Sequence, residues 1–195
     1  MQVFFDDRQF GHAPEFYFRL GVNIPHPEQP ERARLLREIM IELGHDIIAP
    51  SDFGLDPIYA VHDPDYVDFF RTAYDRWVEG TGYTHPAIPN YHTGRRVSRV
   101  PNGVIGKLGY YATDTSCPVM KGTWDAIYWS AQCAVDAARR VAADEGPAYA
   151  LCRPPGHHAS RDASNGFCFF NNAAVAAQEL RGTFAKVAIL DMDTH

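Results

Sequence analysis

The sequence predicts an α/β domain with an open, mostly parallel sheet and helices on both of its faces. Three observations lead to this prediction. Short apolar runs of strand length occur at residues 2–5, 148–151 and 186–190. Helical patterns alternate with such runs through the second half of the chain, which is typical of a parallel sheet covered by helices. Polar side chains follow the last two runs, where the carboxyl ends of parallel strands carry ligand sites.

The composition predicts one domain and excludes some classes of function. With 195 residues, 46% of them hydrophobic, the chain can build one sizeable core, so we expect a single domain over residues 1–195. A net charge of −6 gives no reason to expect binding to nucleic acid or to a membrane. Neither a signal peptide nor a bilayer-length apolar run is present. Four cysteines without a C-x-x-C pair favour a reduced, cytoplasmic protein.

The first half of the chain is predicted to contain two strands and two helices. Residues 2–5 form the first strand, and residues 6–27 form a structured loop rich in aromatic side chains. A helix begins at Pro30 and ends before Gly44, because apolar residues between them recur at helical spacing. The other elements are a strand at 46–49, a helical turn at 55–61 and an amphipathic helix that begins at Asp63-Pro64.

The segment at about 80–122 is predicted to be a long functional loop. It has little periodicity and is rich in Gly, Pro, Tyr and Arg. Loops of this length inside a compact domain are usually functional or disordered, and the tyrosines argue against disorder. A lid, a partner surface and a substrate-binding wall are the candidate roles, with an inert surface loop as the alternative.

The second half of the chain is predicted to alternate helices and strands. Thr123 is expected to cap a helix from Trp124 to about Ala143. A buried strand at 148–151 follows, then a helix over Asn171–Leu180 and another buried strand at 186–190.

The last five residues, Asp-Met-Asp-Thr-His, follow the final predicted strand. Side chains alternate along an extended chain, so Asp191, Asp193 and His195 can share one face. Carboxylate oxygens together with an imidazole nitrogen suit zinc in a catalytic site. The alternative interpretation is a turn with solvated acidic and imidazole side chains.

Two adjacent histidines follow the predicted strand at 148–151. Pro154, Pro155 and Gly156 stiffen and then turn the backbone before His157 and His158. This stretch also leaves the carboxyl end of a strand, so we expect it to meet the acidic motif. An aspartate can orient one imidazole while the other exchanges protons. The alternative is a pair of exposed loop histidines.

These two motifs together resemble the zinc-dependent deacetylases, a family that includes histone deacetylases, acetoin-utilisation proteins and bacterial acetylpolyamine amidohydrolases. Further marks are the Gly-Phe-Cys run at 166–168, Val61-His62 with Tyr66, and Pro30-Glu31-Arg32. The resemblance covers essentially the whole chain and implies the arginase/deacetylase-like fold. The long segment before Trp124 looks most like the acetylpolyamine amidohydrolase branch, and by resemblance it implies a homodimer.

The resemblance implies a role for each motif residue. Asp193 and His195 match two zinc ligands. Asp191 matches the carboxylate behind the first tandem histidine and, with backbone carbonyls, a structural K⁺ or Na⁺ site. His157 would be the electrostatic member of the pair. His158 would be the general base that takes a proton from the attacking water, then the acid that protonates the leaving amine.

The resemblance also implies a narrow tunnel for an acetylated amine. Gly156, Gly166 and Phe167 would line it, and Glu15 matches an acidic substrate-binding position of polyamine-selective members. Two further acidic positions hold Ile105 and Ser116 here, although Asp114 is close by, which weakens the expected preference for cationic polyamines. Arg32 would lie near an internal channel below the metal.

Four hypotheses remain. The first is a zinc amidohydrolase that deacetylates small amines such as acetylpolyamines, and the second is the same chemistry on acetyl-lysine in proteins. The third is a non-catalytic fragment or binding subunit, because the family's third zinc ligand and catalytic tyrosine lie downstream of residue 195. The fourth is an arginase-type manganese hydrolase, which the Pro-Pro-Gly-His-His stretch does not favour.

Overall fold

A three-stranded parallel sheet lies at the centre of the computed structural model, which describes residues 1–93 and 99–194. The strand order is β4 (Ile47–Ile48), β1 (Gln2–Phe4) and β5 (Ala148–Ala150). In the register, Val3 of β1 is the partner of both Ile47 and Tyr149. Two crossovers with helices connect these parallel strands, which confirms the predicted fold class.

Helices cover both faces of the sheet because successive side chains of β1 point in opposite directions. Val3 and Phe5 pack against Ala33 of α1 (Pro30–Glu42). Phe4 packs on the other face against Cys133 and Ala137 of α5 (Thr123–Ala142). The predicted arrangement of helices on both faces is therefore observed.

Four further helices complete the described fold, and two of them begin at a residue whose side chain caps the helix. They are α2 (Asp56–Tyr59), α3 (Pro64–Thr81), α4 (Val104–Tyr110) and α6 (Asn172–Leu180). The Asp63 carboxylate accepts the Asp65 N–H at the start of α3, and Gly82 ends this helix at φ +73°. The Asn171 side chain accepts the Ala174 N–H at the start of α6. The predictions for α1, α3 and α6 are confirmed to within a residue or two. No helix in the described ranges is both long and apolar enough to cross a bilayer.

The segment at 6–27, which was predicted to be a loop, contains regular structure. Asp7–Gly11 form a 3₁₀ helix, and β2 (Phe16–Arg19) pairs with β3 (Val22–Pro25) as an antiparallel hairpin. The hairpin turn uses left-handed backbone at Leu20 and Gly21. Aromatic residues occupy both faces of β2, so the apolar–polar alternation that signals a strand is missing from its sequence.

The segment at 80–122 is less irregular than its sequence predicts. α3 extends to Thr81, and α4 lies within the segment, while residues 94–98 lie outside the described ranges. Two glycines weaken the helical signal of α4. One of them, Gly109, is required by packing, because a Cβ there would lie 2.1 Å from the Tyr91 carbonyl oxygen.

Two predictions in the second half are wrong in detail. Thr123 does not cap α5; Gly122 occupies the cap position, and the Thr123 hydroxyl instead accepts the Met120 N–H at 2.9 Å. Residues 186–190 are not a buried strand, and the Leu190 side chain is 83% exposed. An apolar run becomes a strand only where a neighbouring strand satisfies its backbone, and the described sheet gives this run no partner. β5 is present at 148–150 but only half-buried, because one of its edges faces a groove.

Candidate active site

A groove of about 670 Å³ runs beside β5 and leads to the two sequence motifs. Alanines of α5 and α6 and the half-buried side of β5 form its apolar wall. The tandem histidines and the two acidic residues lie at one end. The residues of this polar end are Gly156, His157, His158, Asp191 and Asp193.

The structure brings the first tandem histidine together with both aspartates of the carboxyl-terminal motif. Nδ1 of His157 lies 3.0 Å from Oδ2 of Asp191, and its Nε2 lies 3.9 Å from Oδ2 of Asp193. The Asp193 N–H donates to the Asp191 carboxylate, and this hydrogen bond, with that from His157, lowers the pKa of Asp191. The two stretches, 34 residues apart between His157 and Asp191, therefore meet at one end of the sheet.

Two glycines allow the backbone to pass close to the tandem histidines. A Cβ at Gly166 would lie 2.4 Å from Cδ2 of His158, and a Cβ at Gly156 would lie 2.6 Å from the Asn172 nitrogen and the Phe170 oxygen. The rings of His157 and His158 are 4.1 Å apart between centroids. Contact with the backbone of Gly166 therefore limits the positions open to the His158 ring.

Phe167 lies at the rim of the groove in an unusual backbone conformation. Its φ is +69°, in the left-handed region. Its ring makes edge-to-face contacts with Tyr17 of the hairpin, at 5.5 Å, and with the buried His26, at 4.9 Å. These contacts position the aromatic side chain that the sequence assigned to the substrate tunnel.

Glu15 lies away from the groove. Its side chain is exposed at the start of the hairpin, where its carbonyl accepts the His26 N–H at 3.1 Å. Of the two positions discussed for polyamine selectivity, Ile105 is 47% exposed, whereas Ser116 is buried at 2%. The described structure therefore collects no ring of carboxylates at the rim from these positions.

A buried ion pair below the groove was missed by sequence reasoning. Nε of Arg153 lies 2.7 Å from Oε1 of Glu28, and both side chains are at most 6% exposed. Burial raises the pKa of Glu28, and the guanidinium opposes this effect. Arg153 also donates to the Gln9 carbonyl at 2.7 Å. Arg32, for which the resemblance implies a place near an internal channel below the metal, is exposed on α1 and lines the same groove.

His62 and Tyr66 of the Val-His-x-x-x-Tyr motif bind backbone groups of the stretch that precedes α6. The Tyr66 hydroxyl donates to the Phe169 carbonyl at 2.6 Å, and the Asn171 N–H donates to Nε2 of His62 at 2.8 Å. Nδ1 of His62 therefore carries the proton and donates to the Arg161 carbonyl at 3.2 Å. Burial lowers the pKa of His62, which keeps this ring neutral.

The donors at the polar end are of the type that zinc uses, carboxylate oxygen and imidazole nitrogen. Within residues 1–93 and 99–194, no group of three or more His, Cys, Asp or Glu side chains is arranged to hold a metal. Asp193 is described, and His195, its predicted co-ligand, lies outside the described residues.

Comparisons with known proteins identify the family. The model of the histone deacetylase domain family matches residues 26–195. An acetylpolyamine amidohydrolase of Burkholderia pseudomallei is 43% identical over all of this chain, and one of Mycoplana ramosa is 41% identical over 99% of it. The chain spans 57% of the length of each.

Solved structures show the same fold. A crystal structure of the acetylpolyamine aminohydrolase from Burkholderia pseudomallei superposes with a TM-score of 0.87 and 42% identity, over 94% of this chain and 53% of that one. The HDA15 HD domain, at 24% identity and a TM-score of 0.67 over 93% of this chain and 42% of that one, supports the fold alone. The chain belongs to the histone deacetylase domain family.

Proposed function

We propose that the protein hydrolyses acetyl amides of small amines, of the acetylpolyamine type. The observation that carries this proposal is the contact of His157, the first tandem histidine, with Asp191 and Asp193 in an apolar groove that His158 also lines. The names of the similar proteins, acetylpolyamine amidohydrolases at 41–43% identity, support the choice of substrate class.

Zinc is the proposed cofactor, with Asp193 and His195 among its ligands. When bound, zinc supplies polarisation of the amide carbonyl and a more acidic water molecule. Asp191, through its side chain and nearby backbone carbonyls, is the proposed ligand of a structural K⁺ or Na⁺ ion.

The two histidines are proposed to divide the proton chemistry. The Asp191 carboxylate lies at hydrogen-bond distance from Nδ1 of His157 and thereby orients this ring. The His158 ring, which lies against Gly166, is proposed to take the proton of the attacking water and to give it to the leaving amine nitrogen. Such proton transfer contributes about 10²–10⁴-fold to the rate of similar reactions.

The groove is proposed to take the aliphatic stem of the amine. Gly156, Gly166 and Phe167, which line the groove, are proposed to border a narrow path to the histidines, and apolar walls of this kind exclude water from a reacting amide. The Asp114 carboxylate of the long segment accepts the Gly166 N–H and is half-buried. Glu15 remains a proposed contact for a distal ammonium group.

Acetate release by the natural full-length protein tests the proposal. We expect zinc-dependent turnover of acetylputrescine that exceeds turnover of an acetyl-lysine peptide. His158→Ala should abolish it, whereas His85→Ala, at an exposed histidine outside the groove, should not. A clear preference for the peptide would instead support a protein deacetylase. Absence of turnover and of bound zinc would support a non-catalytic binding subunit.

A cytoplasmic homodimer is the proposed setting. All four cysteines are free, which suits a reducing compartment. The hairpin exposes apolar side chains that a second copy could cover, with Leu20 at 94% and Val22 at 58% exposure. Sedimentation equilibrium should give twice the chain mass, and Leu20→Asp should shift it towards the monomer.

A further inference from the structure

A tight turn carries the two residues that border the tandem histidines. The Cys168 N–H donates to the Asn165 carbonyl at 2.8 Å, and the Asn165 N–H donates to the Cys168 carbonyl at 3.1 Å. The two central residues, Gly166 and Phe167, have φ of +52° and +69°. Two consecutive left-handed residues define a type I′ turn, which is costly when one of them is phenylalanine.

The central N–H groups of this turn are bound by side chains from the long segment. The Gly166 N–H donates to Oδ2 of Asp114 at 3.0 Å, and the Phe167 N–H donates to Oγ of Ser116 at 3.0 Å. These N–H groups point out of a type I′ turn and are left without partners by the turn itself. Their acceptors lie about fifty residues earlier in the chain.

The two acceptors, Asp114 and Ser116, are also hydrogen-bonded to each other. Oδ1 of Asp114 accepts both the Ser116 N–H, at 2.9 Å, and the Ser116 hydroxyl, at 2.6 Å. Nε2 of the buried His26 lies 3.4 Å from the Ser116 carbonyl oxygen, and the His26 ring packs against Phe167. Each carboxylate oxygen of Asp114 therefore accepts at least one backbone N–H, so the side chain has little freedom to move.

This type I′ turn also limits the position of His158, the second tandem histidine. Gly166 passes so close to His158 that even one added methyl group would overlap the imidazole. A shift of Gly166 would therefore change the space that is open to this ring. Phe167, the aromatic residue at the rim, moves with the same turn.

We propose that Asp114 is a positioning residue for the reaction: directly at Gly166, and through Ser116 at Phe167, it holds the turn against which His158 lies. This inference rests on the proposed deacetylase function. Asp114 does not touch the reacting atoms, and its effect passes through the backbone of the turn. It gives the long segment a role inside its own chain, besides any role as a lid or a partner surface.

Three variants of the natural full-length protein test this role. Asp114→Ala removes the acceptor of the Gly166 N–H and the carboxylate that holds Ser116, and is expected to lower kcat for acetylputrescine by about tenfold to a hundredfold, with a smaller change in KM. Asp114→Asn keeps one carbonyl acceptor and is expected to fall between Asp114→Ala and the unaltered protein. Asp75→Ala, which removes an exposed carboxylate of α3, is the matched control and should leave kcat unchanged.

Hydrogen exchange provides a readout that does not depend on activity. Deuterium uptake at Gly166 and Phe167 should rise in Asp114→Ala, while uptake in α5 stays the same. A lower melting temperature with unchanged kcat per folded molecule would mean a structural role only, and would overturn the proposal. Unchanged exchange at the turn would also overturn it.

The two proposals fail in different ways. If the unaltered protein releases no acetate, the proposed function is refuted and the catalytic role of Asp114 falls with it. If the unaltered protein is active and Asp114→Ala is equally active, only the positioning role is refuted.

Discussion

Gly166→Ala should displace the His158 imidazole while leaving the fold in place. The added methyl would lie 2.4 Å from Cδ2 and 2.9 Å from Cγ of His158. Ordinary van der Waals contact begins at 3.4 Å, so the ring or the turn must move by about 1 Å. The flexible end of a side chain cannot absorb this movement, because the atoms in contact include the ring carbon nearest the backbone.

Gly166→Ala should affect the reaction rate and the free energy of folding to different extents. A misplacement of about 1 Å at a catalytic group can cost about a hundredfold in rate. Alanine at φ +52° should cost about 1 kcal/mol of folding free energy, because its Cβ is crowded in the left-handed region. In a protein of this size that corresponds to a fall of about 3 °C in Tm.

Gly21→Ala is the matched control for backbone strain. Gly21 has φ +86° at the hairpin turn, and a Cβ there would meet nothing within 4 Å. Gly21→Ala should therefore lose only the Tm that backbone strain costs, and Gly166→Ala should lose at least as much, measured by differential scanning calorimetry. Only Gly166→Ala should also lose kcat for acetylputrescine.

Two results would refute this reasoning. If Gly166→Ala keeps a kcat within about threefold of the unaltered protein, contact with Gly166 does not control the position of His158. If Gly21→Ala loses as much kcat as Gly166→Ala, backbone strain and not displacement of the imidazole explains the effect.

Two further predictions concern stability around the site. Tyr66→Phe leaves the buried Phe169 carbonyl without its donor and should lower the free energy of unfolding in urea by about 1–3 kcal/mol. Tyr74→Phe, whose hydroxyl bonds a carbonyl at the surface, should cost much less, and equal losses would contradict the argument. Burial lowers the pKa of His62 below its usual 6.5, so below pH 6.5 the unfolded chain binds the proton first. The free energy of unfolding should therefore decrease as the pH is lowered below 6.5, by up to about 1.4 kcal/mol per pH unit for this residue. In urea titrations at pH 7 and pH 5.5, His62→Gln should reduce the difference in the free energy of unfolding between the two pH values. An equal reduction by His85→Gln, at an exposed histidine, would contradict the assignment to His62.

Local chemistry explains which parts of the fold could be predicted from the sequence. Asp63 before Pro64 and Asn171 before an apolar run give helix starts that tertiary packing does not override. The meeting of His157 with Asp191 was predicted from the carboxyl ends of two parallel strands. The contact is observed, but one premise of the prediction is wrong, because the run at 186–190 is not a strand in the described structure.

The parts that could not be predicted depend on contacts between distant residues. α4 is short and contains two glycines, and β2 is aromatic on both faces, so neither has a clear period. The pairing of Asp114 with Gly166 joins residues 52 apart and leaves no periodic trace in either stretch. The position of Arg153 directly before two prolines was one sequence signal of a constrained side chain. Nothing in the sequence around Glu28 indicated that it is the buried partner of Arg153.

Residues of α3's start and of the long segment hold the stretch at 166–171 from two sides. His62 and Tyr66 bind backbone groups of residues 169–171 from the side of α3, and Asp114 and Ser116 bind those of 166–167 from the side of the long segment. The stretch from Gly166 to Asn171 is thus held at both ends, and Gly166 lies against His158 within it. If this stretch sets the position of the imidazole, loosening either end should affect kcat in the same way. Tyr66→Phe combined with Asp114→Ala should then lower kcat by less than the product of the two single effects.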